Sequence, residues 1–179
     1  MSFIQRIAKF FSRFNGNFSR EVSDVELNEL RSFMRRGDII FTHTPAQVSN
    51  FFIRGKYDHC GMIVDGGVVE ARTAGVNCYS LRSLLESTDG YILAREEDID
   101  PEDMLRLQRV AMDFANDEIE YDWWFWGSNI KRYCSELVYD IYEAVFEDCS
   151  PIQDYKGIIH PMEILDDNER INQYHKWGI

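Results

Sequence analysis

Cys134 opens a segment, Tyr133-Cys134-Ser135-Glu136-Leu137-Val138-Tyr139, whose continuation has helical periodicity. Leu137, Val138, Ile141, Val145 and Phe146 recur at spacings of three and four, while Glu136, Asp140 and Glu143 take the opposite face. The pattern places Cys134 in the first turn of an amphipathic helix. Unpaired backbone N–H groups and the positive end of the helix dipole lie there. That setting favours thiolate over thiol, which makes a nucleophile near neutral pH. A small buried apolar residue suits the same position. Nucleophilic chemistry therefore requires a base and an orienting group elsewhere in the chain.

The segment from Tyr57 to Ala71 offers both. Two β-branched runs flank Asp65-Gly66-Gly67, a strong hairpin signal. A two-residue turn at Asp65-Gly66 sets Val64 against Gly67, Ile63 against Val68 and Gly61 against Glu70. His59 and Glu70 then share one face as diagonal neighbours. A turn at Gly66-Gly67 keeps them on one face but farther apart. A three-residue loop sends Glu70 to the other face, because a one-residue slip inverts the pattern. Gly61 leaves room on the functional face. Cysteine, histidine and carboxylate are together the parts of a nucleophile–base–orienter set.

The order of the pieces resembles a known family. Gly37-Asp38-Ile39-Ile40-Phe41 comes first, then His59-Cys60-Gly61-Met62-Ile63, Val69-Glu70-Ala71, Tyr121-Asp122, and last Tyr133-Cys134-Ser135-Glu136-Leu137-Val138. This resembles the NlpC-like papain-fold superfamily in its circularly permuted, YiiX/YaeF-like branch, and more distantly the lecithin retinol acyltransferase-like enzymes. In unpermuted relatives the cysteine helix precedes the histidine strand; here it follows. The resemblance covers roughly residues 35 to 165. It implies a thiol hydrolase or acyltransferase that uses Cys134, His59 and a polar third residue, for which Glu70 is the match where some relatives carry histidine. It also implies that Tyr121 lies near the site, where its hydroxyl would help to hold an oxyanion or substrate.

Ser23 and Glu26 form a capping box for a helix over 23–36, with Gly37 as the stop. A short strand follows over 37–41, then a loop-rich stretch over 42–56 that contains His43, a second imidazole or simply a loop polar group. Ser80 caps a short helix over 81–85, and 91–94 reads as a strand. Asp100-Pro101-Glu102-Asp103 starts a helix that runs to about Asn116. The aromatic run from Tyr121 to Gly127 suits core packing or the wall of a cleft. His160-Pro161 precedes a helix over 162–165. The expected fold class is α+β: a small antiparallel sheet carrying His59 and Glu70, packed against helices.

The 179 residues, 45% of them apolar, suffice for one domain. Residues 23–179 are assigned to the catalytic domain and 1–22 to an arm and linker. The arm carries Arg6, Lys9, Arg13 and Arg20 alongside Phe3, Ile4, Ile7, Phe10, Phe11 and Phe14. It reads as an amphipathic helix, packed on the domain or lying on an anionic membrane. A net charge of −12 argues against nucleic acid as a partner. Cys60, Cys78, Cys134 and Cys149 form no C-x-x-C pair, so free thiols are expected and no metal or cofactor is. With no secretory leader and no long apolar run, a cytoplasmic location is expected. The function expected is a cysteine-dependent hydrolase of amide or ester bonds, with peptides or cell-wall peptides as substrates. The alternatives are a lipid hydrolase or acyltransferase, and an inactive binding module.

Overall fold

The computed structural model describes residues 18–45, 55–122, 131–146, 152, 158–166 and 170–178. Residues 1–17 of the arm, residues 123–127 of the aromatic run and Cys149 lie outside the described residues. In chain order the elements are α1 (Asp24–Phe33), β1 (Ile39–His43), β2 (His59–Val64), β3 (Gly67–Arg72), β4 (Gly75–Tyr79), α2 (Leu81–Glu86), β5 (Gly90–Glu96), α3 (Pro101–Asn116), β6 (Glu120–Tyr121), β7 (Lys131–Arg132), α4 (Cys134–Phe146), α5 (Pro161–Asp166) and β8 (Ile171–Gly178).

Six strands form one sheet in the order β4-β3-β2-β1-β5-β8, and every pairing within it is antiparallel. β6 and β7 form a separate two-residue parallel pair. Alternation along β1 assigns the two faces. Ile39 and Phe41 join a core built with α3 and α4, while Ile40 joins a second core beneath α1 and α2. Helix α4 sinks Leu137, Val138 and Ile141 completely. Each such side chain contributes about 1.5–3 kcal/mol by leaving water.

The hairpin resolves the register. Val64 faces Gly67, Ile63 faces Val68 and Met62 faces Val69, so Asp65-Gly66 is a two-residue turn. Gly66 takes φ +88°, a left-handed conformation that glycine adopts without strain. Gln108 on α3 and Arg36 both bond Asp65 and hold the turn in place.

The predicted caps of α1, α2 and α3 are present: the Ser23, Ser80 and Asp100 side chains accept the N–H groups of Glu26, Ser83 and Asp103. Helix α1 stops at Phe33, short of the expected 36, because the Asp38 carboxylate takes the Arg35 N–H and bends the chain toward β1. β4 and β8 are strands that the pattern did not announce. β8 reads Ile-Asn-Gln-Tyr-His-Lys-Trp-Gly, and most of it is exposed. Its place at the sheet edge comes from tertiary contacts: Tyr174 donates to buried Asp38, and the His175 ring stacks on Phe33 at 4.4 Å.

Candidate active site

The site forms where the start of α4 meets the start of β2. Three contacts fix the start of α4. The Tyr133 N–H donates to the Glu136 carboxylate at 3.4 Å, a first-turn reach-back that satisfies one orphan donor. The Ser135 hydroxyl donates to the Ile159 carbonyl at 2.6 Å, and the Ile159 N–H donates to the Tyr133 hydroxyl at 3.0 Å. Residues on both sides of Cys134 are thus clamped to the backbone of one residue, Ile159, ahead of α5. Cys134 is 2% exposed.

His59, Cys60 and Gly61 pair with β1, whereas the β2–β3 ladder ends at Met62–Val69. Beyond that point β2 and β3 meet through side chains. His59 Nε2 contacts the Glu70 carboxylate directly. Arg72 closes the other side of the carboxylate, with its Nη2 2.5 Å from Oε1. Glu70 is fully buried, and the His59 side chain is 20% exposed. A Cβ added to Gly61 would lie 2.7 Å from Val68 Cγ1 and 3.0 Å from Glu70 Cβ. The space that glycine leaves is therefore filled by β3 itself, and this close approach is what lets Glu70 reach His59.

The electrostatics link the three side chains. Burial opposes charge on His59, but the sulfur of Cys134 and the Glu70 carboxylate both hold its proton, and its pKa is raised to about 10. Burial also works against a Glu70 carboxylate, yet His59 and Arg72 keep its pKa below the usual value. A hydrogen bond from the Cys60 thiol is the largest influence on Cys134. With His59 and the Cys60 backbone N–H it outweighs burial and drives the Cys134 pKa well below that of an ordinary thiol. Together these influences favour a thiolate–imidazolium pair backed by a carboxylate.

All four residues singled out from sequence come to this region. Tyr121, on β6, feels the charge of Cys134, and burial raises its pKa well above the usual value, so its hydroxyl keeps its proton. His43 is engaged elsewhere, with its Nδ1 2.7 Å from the Asp89 carboxylate. Sequence reasoning passed over two neighbours of His59. Cys60 supplies the thiol and N–H just described. Asp58, 5% exposed, accepts the Thr44 N–H, and burial raises its pKa to about 6 against the opposing pull of His59 and His43. The only signal for either was its position beside a candidate histidine.

A helix-start cysteine facing a histidine on an antiparallel sheet, with the histidine strand first in the chain, defines a permuted papain-like thiol hydrolase. Residues 33–161 match the profile of the permuted papain-like amidase enzymes, YaeF/YiiX, C92 family, and the chain belongs to that family. A solved structure, the metalloprotein YiiX from Escherichia coli O157:H7, is similar in fold, with a TM-score of 0.69 and 19% sequence identity. The match covers 81% of this chain and 98% of that one. A search of curated proteins found no match. Among the described residues no group of three or more His, Cys, Asp or Glu side chains is arranged to hold a metal ion. Among them, too, no helix is long and apolar enough to cross a membrane.

Proposed function

We propose that this protein hydrolyses amide bonds of peptides, including cell-wall peptides, with Cys134 as nucleophile, His59 as acid–base and Glu70 as orienter. The observation that carries the reading is the buried chain of contacts from Cys134 through His59 to Glu70. Because Nε2 of His59 is engaged by Glu70, the other ring nitrogen is left for the sulfur. The thiolate attacks the amide carbonyl. The Cys134 backbone N–H, at the start of α4, and the protonated Tyr121 hydroxyl supply donors to the oxyanion. Imidazolium then passes its proton to the leaving amine as the tetrahedral intermediate collapses to a thioester. Neutral His59 next takes a proton from water, which attacks the thioester and releases Cys134. Glu70 holds the ring orientation and balances its charge throughout.

The test has two stages. Iodoacetamide labelling with peptide mapping near neutral pH is expected to modify Cys134 before Cys60, Cys78 or Cys149. A panel of peptide, peptidoglycan-fragment and lipid-ester substrates then reads turnover. Cys134→Ala and His59→Ala should each abolish it while circular dichroism stays unchanged. Faster labelling of another cysteine, or full turnover by a folded His59→Ala protein, refutes the assignment. Turnover of lipid esters alone would move the substrate class to lipids.

A further inference from the structure

A cleft of about 230 Å³ lies between the end of α1 and the β2–β3 hairpin. Arg31, Arg35 and Arg36 rim it, and Ile63, Val64 and the glycines of the turn form its floor. His59 begins β2, whereas this cleft meets the other end of the strand. Five residues of extended chain separate the two by roughly 17 Å. The cleft is thus distinct from the cysteine site.

The charge balance of the cleft departs from that of the chain. The protein carries −12 overall, yet here three guanidinium groups face one carboxylate, Asp65. Asp65 is already taken by Arg36, whose Nε lies 2.7 Å from Oδ1, and by Gln108. Arg31 and Arg35 are exposed, and among the described residues their side chains make no ion pair or hydrogen bond. A position in the last turn of a helix suits one arginine through the helix dipole. It does not explain three arginines around one cleft, because Arg35 and Arg36 lie beyond the end of α1 and like charges that line one cleft repel. An added anion would remove that repulsion.

The same protein shows what a carboxylate needs. A single arginine, Arg95, bonds both oxygens of Asp38, at 2.7 and 2.9 Å, beside the Arg35 N–H and the Tyr174 hydroxyl. Two free guanidinium forks and a third half-used one match a group with more oxygens and more charge. Arginine forks pair with phosphate oxygens through parallel N–H···O bonds. The volume is below the ~300–1,000 Å³ of pockets for drug-sized ligands, as befits a small polar headgroup.

We propose that the Arg31–Arg35–Arg36 cleft is a binding site for a phosphate group, carried by a soluble phosphate ester or by a phospholipid headgroup. Gly66 leaves one side open, because a Cβ there would meet nothing within 4 Å, so a substituent on the phosphate has a way out.

Calorimetric titration of the full chain with pyrophosphate at low salt tests the soluble source. Saturable binding is expected, at least ~10-fold weaker in the Arg31→Gln/Arg35→Gln double variant. It should be unchanged in Lys176→Gln, which removes an exposed charge from β8. Co-sedimentation with phosphatidylcholine vesicles containing about 20% phosphatidic acid tests the lipid source. Vesicle binding that is lost in the double variant assigns the phosphate to a headgroup. Protection of Arg31 and Arg35 from phenylglyoxal by pyrophosphate or by the vesicles reports on the unmutated protein and needs no folded variant. Absence of saturable binding to either probe, or binding that the double variant retains in full, overturns the proposal. Cys134 labelling should be unaffected throughout, so failure here is separable from failure of the hydrolase reading.

Discussion

Glu70→Gln isolates what the buried carboxylate does for His59. The substitution keeps shape and a potential acceptor but deletes the charge. An uncharged hydrogen bond to imidazolium is weaker than a charged one by about 1–1.5 kcal/mol, close to one factor of ten in proton affinity. Arg72, 2.5 Å from Glu70 in the native protein, would also lose its counter-ion and press its charge on His59. At an effective dielectric near 20 and a separation of roughly 5 Å, that repulsion is about 3 kcal/mol, or two further factors of ten at most. The pKa of about 10 at His59 should therefore fall to between roughly 7 and 9. A raised histidine pKa stabilises the fold fully below the unfolded value of about 6.5 and loses that contribution as pH rises through the folded value. The variant has less of that contribution to lose, so Glu70→Gln is most destabilising below about pH 7, and the difference from the native protein shrinks as pH rises toward about 10. The assay is an NMR titration of the His59 imidazole, assigned with His59→Gln, alongside thermal unfolding at pH 6 and pH 9. A midpoint that does not fall, or an equal loss of stability at both pH values, refutes the coupling.

Two more outcomes follow from the site's surroundings. Burial, against the pull of Arg132, raises the Glu136 pKa from 4.5 to about 7, so ionising this carboxylate opposes folding, and that cost grows as pH rises from about 4.5 to about 7 and is complete above it. Glu136→Gln should then stabilise by about 2 kcal/mol at pH 8 and by little at pH 5, read as melting temperatures; the same gain at both would exclude the ionisation as its cause. Gly61→Ala drives a methyl group against Val68, the Val69 carbonyl and Glu70, and should cost about 1–3 kcal/mol and slow Cys134 alkylation by pulling His59 and Glu70 apart. Unchanged denaturant midpoint and alkylation rate would show that the strands need no such approach.

Much of the local structure was legible because its causes are local. The caps at Ser23, Ser80 and Asp100 are side chains that bond backbone three residues on. The apolar stripe of α4 and the Asp65-Gly66 turn follow from periodicity and from the left-handed freedom of glycine. Residue types and chain order were enough to single out Cys134, His59, Glu70 and Tyr121 and to imply a permuted papain-like fold. Three hairpin registers were compatible with the sequence, and only the folded chain selected the one that joins His59 to Glu70. β8 was invisible because its polar residues alternate without an apolar face; buried Asp38 and the ring of Phe33 hold it at the edge. Cys60 and Asp58 gave no signal beyond their place beside His59, because their roles depend on a helix that begins more than 70 residues later. Proximity across such a separation is set by how the sheet and α4 pack, and the packing also determines which charges are buried and therefore how far each proton is held.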